Sequence, residues 1–219
     1  IMYHYSGPCS QLVKNEWDVD WLDYAAEQGY IVACVDGRGT GGRGHEFASL
    51  VYKQLGKLES IDQVAAARHM AQLPYVDADR IGIFGWSYGG YETIMAMTEP
   101  NAPYRAGIAV APVTDWRLYD TIYTERFMLT PQQNEAGYEA SSAVNRAANL
   151  RGRLLIVTGT TDDNVHPANT YEFAARATSE GKLFDMMVYT NEDHFIKKCN
   201  VRATLYAKLL DYFENNLKR

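Results

Sequence analysis

The chain has 219 residues, of which 47% are hydrophobic and 22% charged, enough for one sizeable core and unlike a disordered segment. Its formal net charge of -6 disfavours a surface built for nucleic acid, and no nucleic-acid motif is present. No apolar run approaches the roughly 20 residues that span a bilayer, and no signal-peptide pattern opens the sequence. We therefore expect neither a nucleic-acid partner nor a membrane contact from this segment.

Six short apolar runs are typical of β-strands: residues 1–5, 30–36, 80–85, 106–112, 153–159 and 184–190. The run from 30 to 36 is apolar at successive positions, which is typical of a strand buried on both faces of a parallel sheet. Each gap between runs is long enough for a helix. The pattern predicts an α/β fold with a mainly parallel sheet and helices on both faces.

Three helices are predicted between and after these runs. Ser60-Ile61-Asp62-Gln63 matches a capping box, so a helix is expected from about 60 to 72. Pro167 suits the first turn of another helix, and apolar residues repeat every four positions from Val201 to Phe213. Residues 113–150 are rich in tyrosine and look irregular, so we interpret them as a lid or a pocket wall.

The three cysteines, Cys9, Cys34 and Cys199, are odd in number and lack paired spacing. They predict neither a disulfide framework nor a metal site, and no cofactor is expected. Cys34 lies inside an apolar run, so we expect it to be a buried free thiol.

The motif Gly85-Trp86-Ser87-Tyr88-Gly89-Gly90 has the Gly-x-Ser-x-Gly spacing of a nucleophile elbow. The spacing alone is common, and a glycine-rich turn with an incidental serine is the alternative. However, a strand-like run precedes it, and seven residues without glycine or proline follow it, as the strand, turn and helix of the motif require. The context favours Ser87 as a nucleophile.

A serine nucleophile needs a base, and hydrolases of this kind place the acid and then the histidine after the serine. Only His166 and His194 come late enough; the others are His4, His45 and His69, the last inside a predicted helix and His45 in a glycine-rich loop. His194 follows a predicted strand and should lie at the end of the sheet near Ser87. His166 shares a short loop with Asp162, which restricts its reach. We therefore favour His194.

The loop after residues 153–159 offers Asp162 and Asp163 as the acid, and both could instead be solvated loop residues. Asp193 is a further candidate, but it adjoins His194 and is badly placed to accept from that ring. We favour Asp162, with Asp163 close behind. In this hypothesis His194 takes the proton of Ser87, Asp162 orients the imidazole, and the Tyr88 N–H donates to the oxyanion.

One competing motif is Gly39-Thr40-Gly41-Gly42-Arg43-Gly44, which fits the glycine pattern of a dinucleotide-binding loop. A binding loop should open directly into a helix, with an acidic residue at the end of the next strand. Here the following residues carry a weak pattern, and Glu59 precedes a predicted helix instead. A flexible loop is the better interpretation.

Taken together, several motifs resemble the catalytic domain of the prolyl oligopeptidase family, in its dipeptidyl peptidase IV branch. They are Gly85-Trp86-Ser87-Tyr88-Gly89-Gly90-Tyr91, Tyr5-Ser6-Gly7-Pro8-Cys9-Ser10-Gln11, Asp36-Gly37-Arg38-Gly39, Asp162-Asp163-Asn164-Val165-His166 and Ala111-Pro112-Val113. The resemblance implies an α/β-hydrolase fold and a catalytic triad of Ser87, Asp162 and His194. It also implies that the Tyr5 hydroxyl is the second oxyanion donor and that Asn164 contacts the substrate backbone. The residues matching the pocket for a proline or alanine side chain are Tyr88, Val113, Trp116, Tyr119, Tyr123 and Val165.

The resemblance implies a serine exopeptidase that releases dipeptides with proline or alanine in second position. A tripeptidyl or an acylaminoacyl peptidase of the same family is the nearest alternative, and a catalytically silent interaction domain is the alternative of another class. It further implies that residues 1–219 are one catalytic domain cut from a longer protein, with the family's β-propeller upstream and the first hydrolase strands missing. A periplasmic or extracellular location and a homodimer are compatible with it. Ser6 and Phe195 depart from the residues that relatives more often carry, which affects specificity more than the triad.

Overall fold

The computed structural model describes residues 1–218, and its centre is a sheet of six strands in which every pair runs parallel. The strands are β1 (Met2–Tyr3), β2 (Ala33–Cys34), β3 (Gly82–Trp86), β4 (Ala106–Val110), β5 (Arg153–Gly159) and β6 (Asp185–Tyr189). Their spatial order is β2-β1-β3-β4-β5-β6. Every strand lies within a run predicted from sequence, except that β3 extends one residue further, to Trp86. Because all pairs are parallel, the loops after the strands meet at one edge of the sheet.

Helices cover both faces of this sheet. They are α1 (Trp21–Glu27), α2 (Gly44–Ser49), α3 (Lys57–Met70), α4 (Tyr88–Met97), α5 (Thr121–Met128), α6 (Glu135–Ser141), α7 (Ala168–Ser179) and α8 (Val201–Phe213). Apolar side chains of α1 and α8 form one core cluster, and those of α3, α4 and α7 form the other. Strand β5 feeds both clusters in alternation, Leu154 into one and Leu155 into the other, as strand geometry requires. The prediction of helices on both faces is confirmed.

Two of the three helix predictions are confirmed and one start is wrong. Pro167 has φ -55° and precedes α7, and the buried stripe of α8 includes Leu205 and Leu209. Helix α3, however, begins at Lys57, so Ser60 lies inside it and is not a cap. The Ser60 hydroxyl donates to the Lys57 carbonyl instead, at 3.2 Å. The capping-box pattern misplaced the start by one turn.

Residues 113–150 are helical rather than irregular. Besides α5 and α6 they form two 3₁₀ helices, Trp116–Leu118 and Val144–Asn149, between β4 and β5. His45, expected in a loop, lies in the short helix α2. These segments were hard to predict because short helices without apolar periodicity give little sequence signal.

The run at residues 30–36 packs on both faces of the sheet, as predicted, but it is less buried than expected. Val32 contacts the core cluster of α1 and α8, and Ala33 and Val35 contact the other cluster, each of them only partly buried. Cys34 is a free thiol as expected, but it is only half-buried. Within residues 1–218, none of the helices combines the length and apolar character needed to cross a membrane.

Candidate active site

Ser87 lies on a sharp turn between β3 and α4, with φ 59° and ψ -116°. Few residues other than glycine adopt a positive φ, so the serine is held in a strained conformation. A Cβ atom at Gly85 would come within 2.3 Å of the Gly89 backbone, and one at Gly89 within 2.5 Å of the His4 carbonyl. The two glycines of the motif are therefore needed for the close packing that keeps this turn in place.

Asp162 and His194 form a buried pair at the same edge of the sheet. The His194 Nδ1 lies 2.8 Å from Asp162 Oδ2, and the two residues are 5% and 2% exposed. Asp162 Oδ1 also accepts the backbone N–H groups of Asn164 and Val165, at 3.0 and 2.8 Å. Because a carboxylate only accepts, the proton of this bond lies on Nδ1 and leaves Nε2 as the basic nitrogen.

The structure separates this pair from the alternatives left open by the sequence. Asp163 is exposed. His166 is also exposed, and its Nδ1 accepts the Ala168 N–H at 3.2 Å. His4 is fully buried between the hydroxyls of Ser6 and Thr93, and burial lowers its pKa to about 3, so that ring stays neutral. Only His194, of the two later histidines, shares a cavity with Ser87.

That cavity has a volume of about 370 Å³ and opens at the ends of the strands. It is lined by Tyr5, Trp86, Ser87, Tyr119, Asn164, His194, Phe195 and Arg202. Five of these residues were predicted site residues. Of the other three, Trp86 and Arg202 were given no role by the sequence reasoning, and Phe195 was noted only as a departure that affects specificity.

Trp86 and Arg202 hold the loop that carries His194. The Trp86 indole N–H donates to the His194 carbonyl at 3.0 Å. The Arg202 guanidinium donates to the carbonyls of Phe195 and Ile196, the latter at 3.2 Å, and lies 4.8 Å from the centre of the Trp86 ring. Ile196 is buried with φ 45°, which is unfavourable for a β-branched residue. These contacts link the nucleophile turn to the loop of the candidate base.

Two groups near Ser87 can donate to an oxyanion. Burial raises the pKa of Tyr5, and a hydrogen bond with the Ser87 side chain opposes that rise, so the phenol keeps its proton at neutral pH. The Tyr5 ring requires a glycine at position 7. A Cβ atom there would lie 2.5 Å from Tyr5 Cε1. Tyr88 is the first residue of α4, where a backbone N–H has no acceptor within the helix.

An aromatic cluster packs beside and behind the cavity. Trp116 is 1% exposed and stacks on Tyr123, with ring centres 5.9 Å apart and planes inclined by 20°. Tyr119 meets the edge of Trp116 at 5.8 Å, and its hydroxyl donates to Asn164 Oδ1 at 2.7 Å. Of the predicted pocket residues, Tyr119 and Asn164 line the cavity. The other predicted pocket residues do not line the cavity, and they form a buried wall in and against the core cluster next to Tyr119: Tyr88, Val113, Trp116, Tyr123 and Val165.

Two buried carboxyl groups lie behind this wall and were missed by the sequence analysis. The Tyr88 hydroxyl donates to Glu59 Oε1 at 2.8 Å. Glu59 Oε2 and both oxygens of Glu92 have no hydrogen-bond partner within residues 1–218. Burial raises the pKa of Glu59 to about 7, and burial followed by the charge of Glu59 raises the pKa of Glu92 well above its usual range.

The glycine-rich loop after β2 is explained by packing within the chain. A Cβ at Gly39 would lie 2.7 Å from Val51 Cγ1, and one at Gly41 would lie 2.8 Å from the Cys9 carbonyl. The Arg43 guanidinium turns back to the Asp36 carbonyl at 2.6 Å. Nothing in this loop favours a nucleotide. Among residues 1–218, no three side chains of His, Cys, Asp or Glu are grouped as metal ligands.

A parallel sheet, a strained serine at a strand-to-helix turn and an adjoining Asp–His pair define the class: an α/β hydrolase. Comparison with known proteins supports this, because residues 16–219 match the prolyl oligopeptidase family. The chain belongs to that family.

Three known proteins illustrate the similarity. "Probable dipeptidyl-aminopeptidase B" of Grosmannia clavigera is 45% identical over 98% of this chain, and the protein of the same name from Paracoccidioides brasiliensis is 43% identical over 98%. The crystal structure of Porphyromonas gingivalis dipeptidyl peptidase 4 superposes with a TM-score of 0.97 and 53% identity over 99% of this chain. The chain spans only 22%, 24% and 31% of these three proteins, respectively.

Proposed function

We propose that residues 1–219 are the catalytic domain of a longer serine exopeptidase that releases N-terminal X-Pro or X-Ala dipeptides. The observation that carries the proposal is that the strained Ser87 and His194 line one cavity, with His194 held by the buried Asp162. The similarity to proteins named dipeptidyl peptidases supports the substrate class. A homodimer stays a prediction.

The reaction follows from the chemistry of these groups. His194 Nε2 accepts the Ser87 proton while Oγ attacks the substrate carbonyl, and Asp162 stabilises the imidazolium through Nδ1. The Tyr5 hydroxyl and the Tyr88 N–H donate to the oxygen that becomes negative. His194 then protonates the leaving amine, and water, activated by the same imidazole, releases the dipeptide from Ser87.

The aromatic wall supports the proposed preference for proline or alanine. A pyrrolidine ring is compact and rigid and brings no backbone N–H, so an apolar site of aromatic rings accepts it without leaving a donor unpaired. Tyr119 fixes Asn164 through its hydrogen bond, which leaves the Asn164 amide N–H₂ group to donate to a substrate carbonyl.

The proposal is tested with the complete protein on Gly-Pro and Ala-Ala chromogenic substrates, each with a free and with a blocked N-terminus. We expect cleavage of the free substrates only, and a loss of about a million-fold in turnover for Ser87→Ala. Ser179→Ala, at an exposed serine on α7, is the matched control and should keep normal turnover. A fluorophosphonate probe should label the wild type and fail on Ser87→Ala.

Two outcomes would contradict the proposal. Normal turnover in Ser87→Ala would exclude Ser87 as the nucleophile. Equal cleavage of the blocked substrates would exclude a dipeptidyl peptidase, because such an enzyme requires a free N-terminus.

A further inference from the structure

Phe195 is an apolar side chain held partly in solvent at the mouth of the cavity. It lines the cavity with Ser87 and His194, yet the residue is 53% exposed. Its ring meets the His194 imidazole edge to face, with centres 5.5 Å apart. Arg202 fixes the Phe195 backbone through its carbonyl. An exposed aromatic ring on a held backbone beside a nucleophile is well placed to contact a ligand.

The two walls of the cavity arise from opposite faces of the sheet. Tyr119 packs against the core cluster that contains α3, α4 and α7. Trp86 packs against the other cluster, the one built from α1 and α8. Phe195 is joined to the second wall, because Arg202 contacts both the Trp86 ring and the Phe195 carbonyl. The aromatic cluster that would receive proline lies only on the first wall.

The chemistry assigns the second wall to the other half of the substrate. His194 must protonate the leaving nitrogen, so the leaving peptide passes directly beside the imidazole. Since Phe195 adjoins that imidazole, the first side chain of the leaving peptide comes within reach of its ring. The Lys197 ammonium lies over the same ring, 4.7 Å from its centre, and adds a positive charge to the rim of the cavity.

We propose that Phe195 is a specificity residue for the leaving peptide, and that it favours an apolar or aromatic side chain at the first leaving position. This inference rests on the proposed function and adds a binding subsite to it. Contact between two aromatic side chains contributes enough free energy for a preference of about three- to tenfold in kcat/KM over glycine.

The test compares the peptides Gly-Pro-Phe-Ala amide and Gly-Pro-Gly-Ala amide with the complete protein. Both peptides form the same Gly-Pro acyl-enzyme, so a difference in kcat/KM reports the leaving half alone. We expect the wild type to prefer the phenylalanine peptide and Phe195→Ala to lose that preference, with the ratio falling about three- to tenfold. Phe195→Leu should keep an intermediate ratio and serves if the alanine variant folds poorly.

Leu183→Ala is the matched control, because Leu183 is 79% exposed and precedes β6, at the opposite edge of the sheet. Its ratio should equal that of the wild type. Fluorophosphonate labelling of Ser87 should proceed at the same rate in every variant, which shows that His194 is still in place. An equal loss on both peptides in Phe195→Ala would overturn the proposed subsite but not the proposed peptidase function. Failure of the wild type to release Gly-Pro from either peptide would overturn the proposed function itself.

Discussion

Asp162 and Glu92 are both acidic side chains almost completely removed from water, at 2% and 0% exposure. Asp162 accepts three hydrogen bonds, one from His194 and two from the backbone. Neither oxygen of Glu92 has a partner within residues 1–218. Both are carboxyl groups and both are buried, so the difference in their hydrogen bonding comes from their positions in the fold.

Asp162 lies in the turn after β5, where the N–H groups of the next residues are not committed to a helix or a strand. Glu92 lies in the middle of α4, where backbone N–H groups already bond to carbonyls. The cation that acts on Glu92, Arg146, is paired with Glu99 at 2.5 Å. A loop can therefore supply backbone donors to a buried carboxylate, whereas the interior of a helix supplies none, which favours the protonated form of Glu92.

Asp162→Asn changes the carboxylate that accepts three hydrogen bonds, and it should have the largest effect of the variants. An amide nitrogen facing Nδ1 would donate instead of accept, which favours the wrong imidazole tautomer. We expect kcat to fall about ten-thousand-fold with little loss of stability, as a triad aspartate requires. Steady-state kinetics and thermal unfolding measure the two effects. Asp163→Asn, at the exposed neighbour, should stay within about twofold; a similar loss there would show that the wrong carboxylate was assigned.

Arg202→Ala tests whether the loop of His194 depends on its side-chain donors. Without the guanidinium, the strained Ile196 backbone can relax and move the imidazole away from Ser87. A misplacement of about 1 Å is enough for a loss of ten- to hundred-fold in kcat. Thermal unfolding measured beside kcat separates this effect from a loss of stability, because the Tm should change little. Arg202→Lys should recover part of the activity, and Lys208→Ala on the same helix should change neither.

Most of the fold could be predicted from the sequence, because buried parallel strands are continuous apolar runs that stand out locally. The strand positions 106–110 and 153–159 needed no more than that. The partial burial of β2 could not be predicted, since how fully a strand is covered depends on the elements that pack against its two faces, and one apolar run does not specify them. The short helices of the crossover, such as Glu135–Ser141, are likewise stabilised by packing rather than by a pattern.

The candidate site likewise contains residues that the sequence predicts and residues that only the fold brings together. Ser87 and the order of acid and base follow from a motif and from chain order, which are local signals. The choice of Asp162 over Asp163 was only a preference, and the contact to His194 distinguishes them through long-range geometry. Arg202 and Glu92 gave no signal at all. An arginine on a terminal helix and a glutamate on a buried one look like ordinary helix residues until the fold brings them to their neighbours.

Tyr88 lies between the Ser87 site and the buried carboxyl groups. Tyr88→Phe removes the hydroxyl that donates to Glu59 and keeps the Tyr88 N–H beside Ser87. The buried carboxyl group of Glu59 would then accept one hydrogen bond fewer. We expect the free energy of unfolding in urea at pH 8 to fall by about 1–2 kcal/mol. The loss should be smaller at pH 5, where a protonated carboxyl needs less support. Tyr52→Phe, at an exposed tyrosine, is the control and should change the free energy at neither pH.

Glu92→Gln should have the smallest effect and the opposite sign. The folded-state pKa of Glu92 is raised above its ordinary value of 4.5, so its contribution to stability is fully present below that value and is lost as pH rises through the folded pKa. Glu59, with a pKa of about 7, acts in the same direction. The wild-type Tm should therefore fall between pH 5 and pH 8, and glutamine, which has no proton to lose, should raise the Tm at pH 8 by about 2–4 °C. Glu172→Gln, at an exposed position of α7, should show the wild-type fall; an equal fall in Glu92→Gln would mean that Glu92 is not the group that titrates.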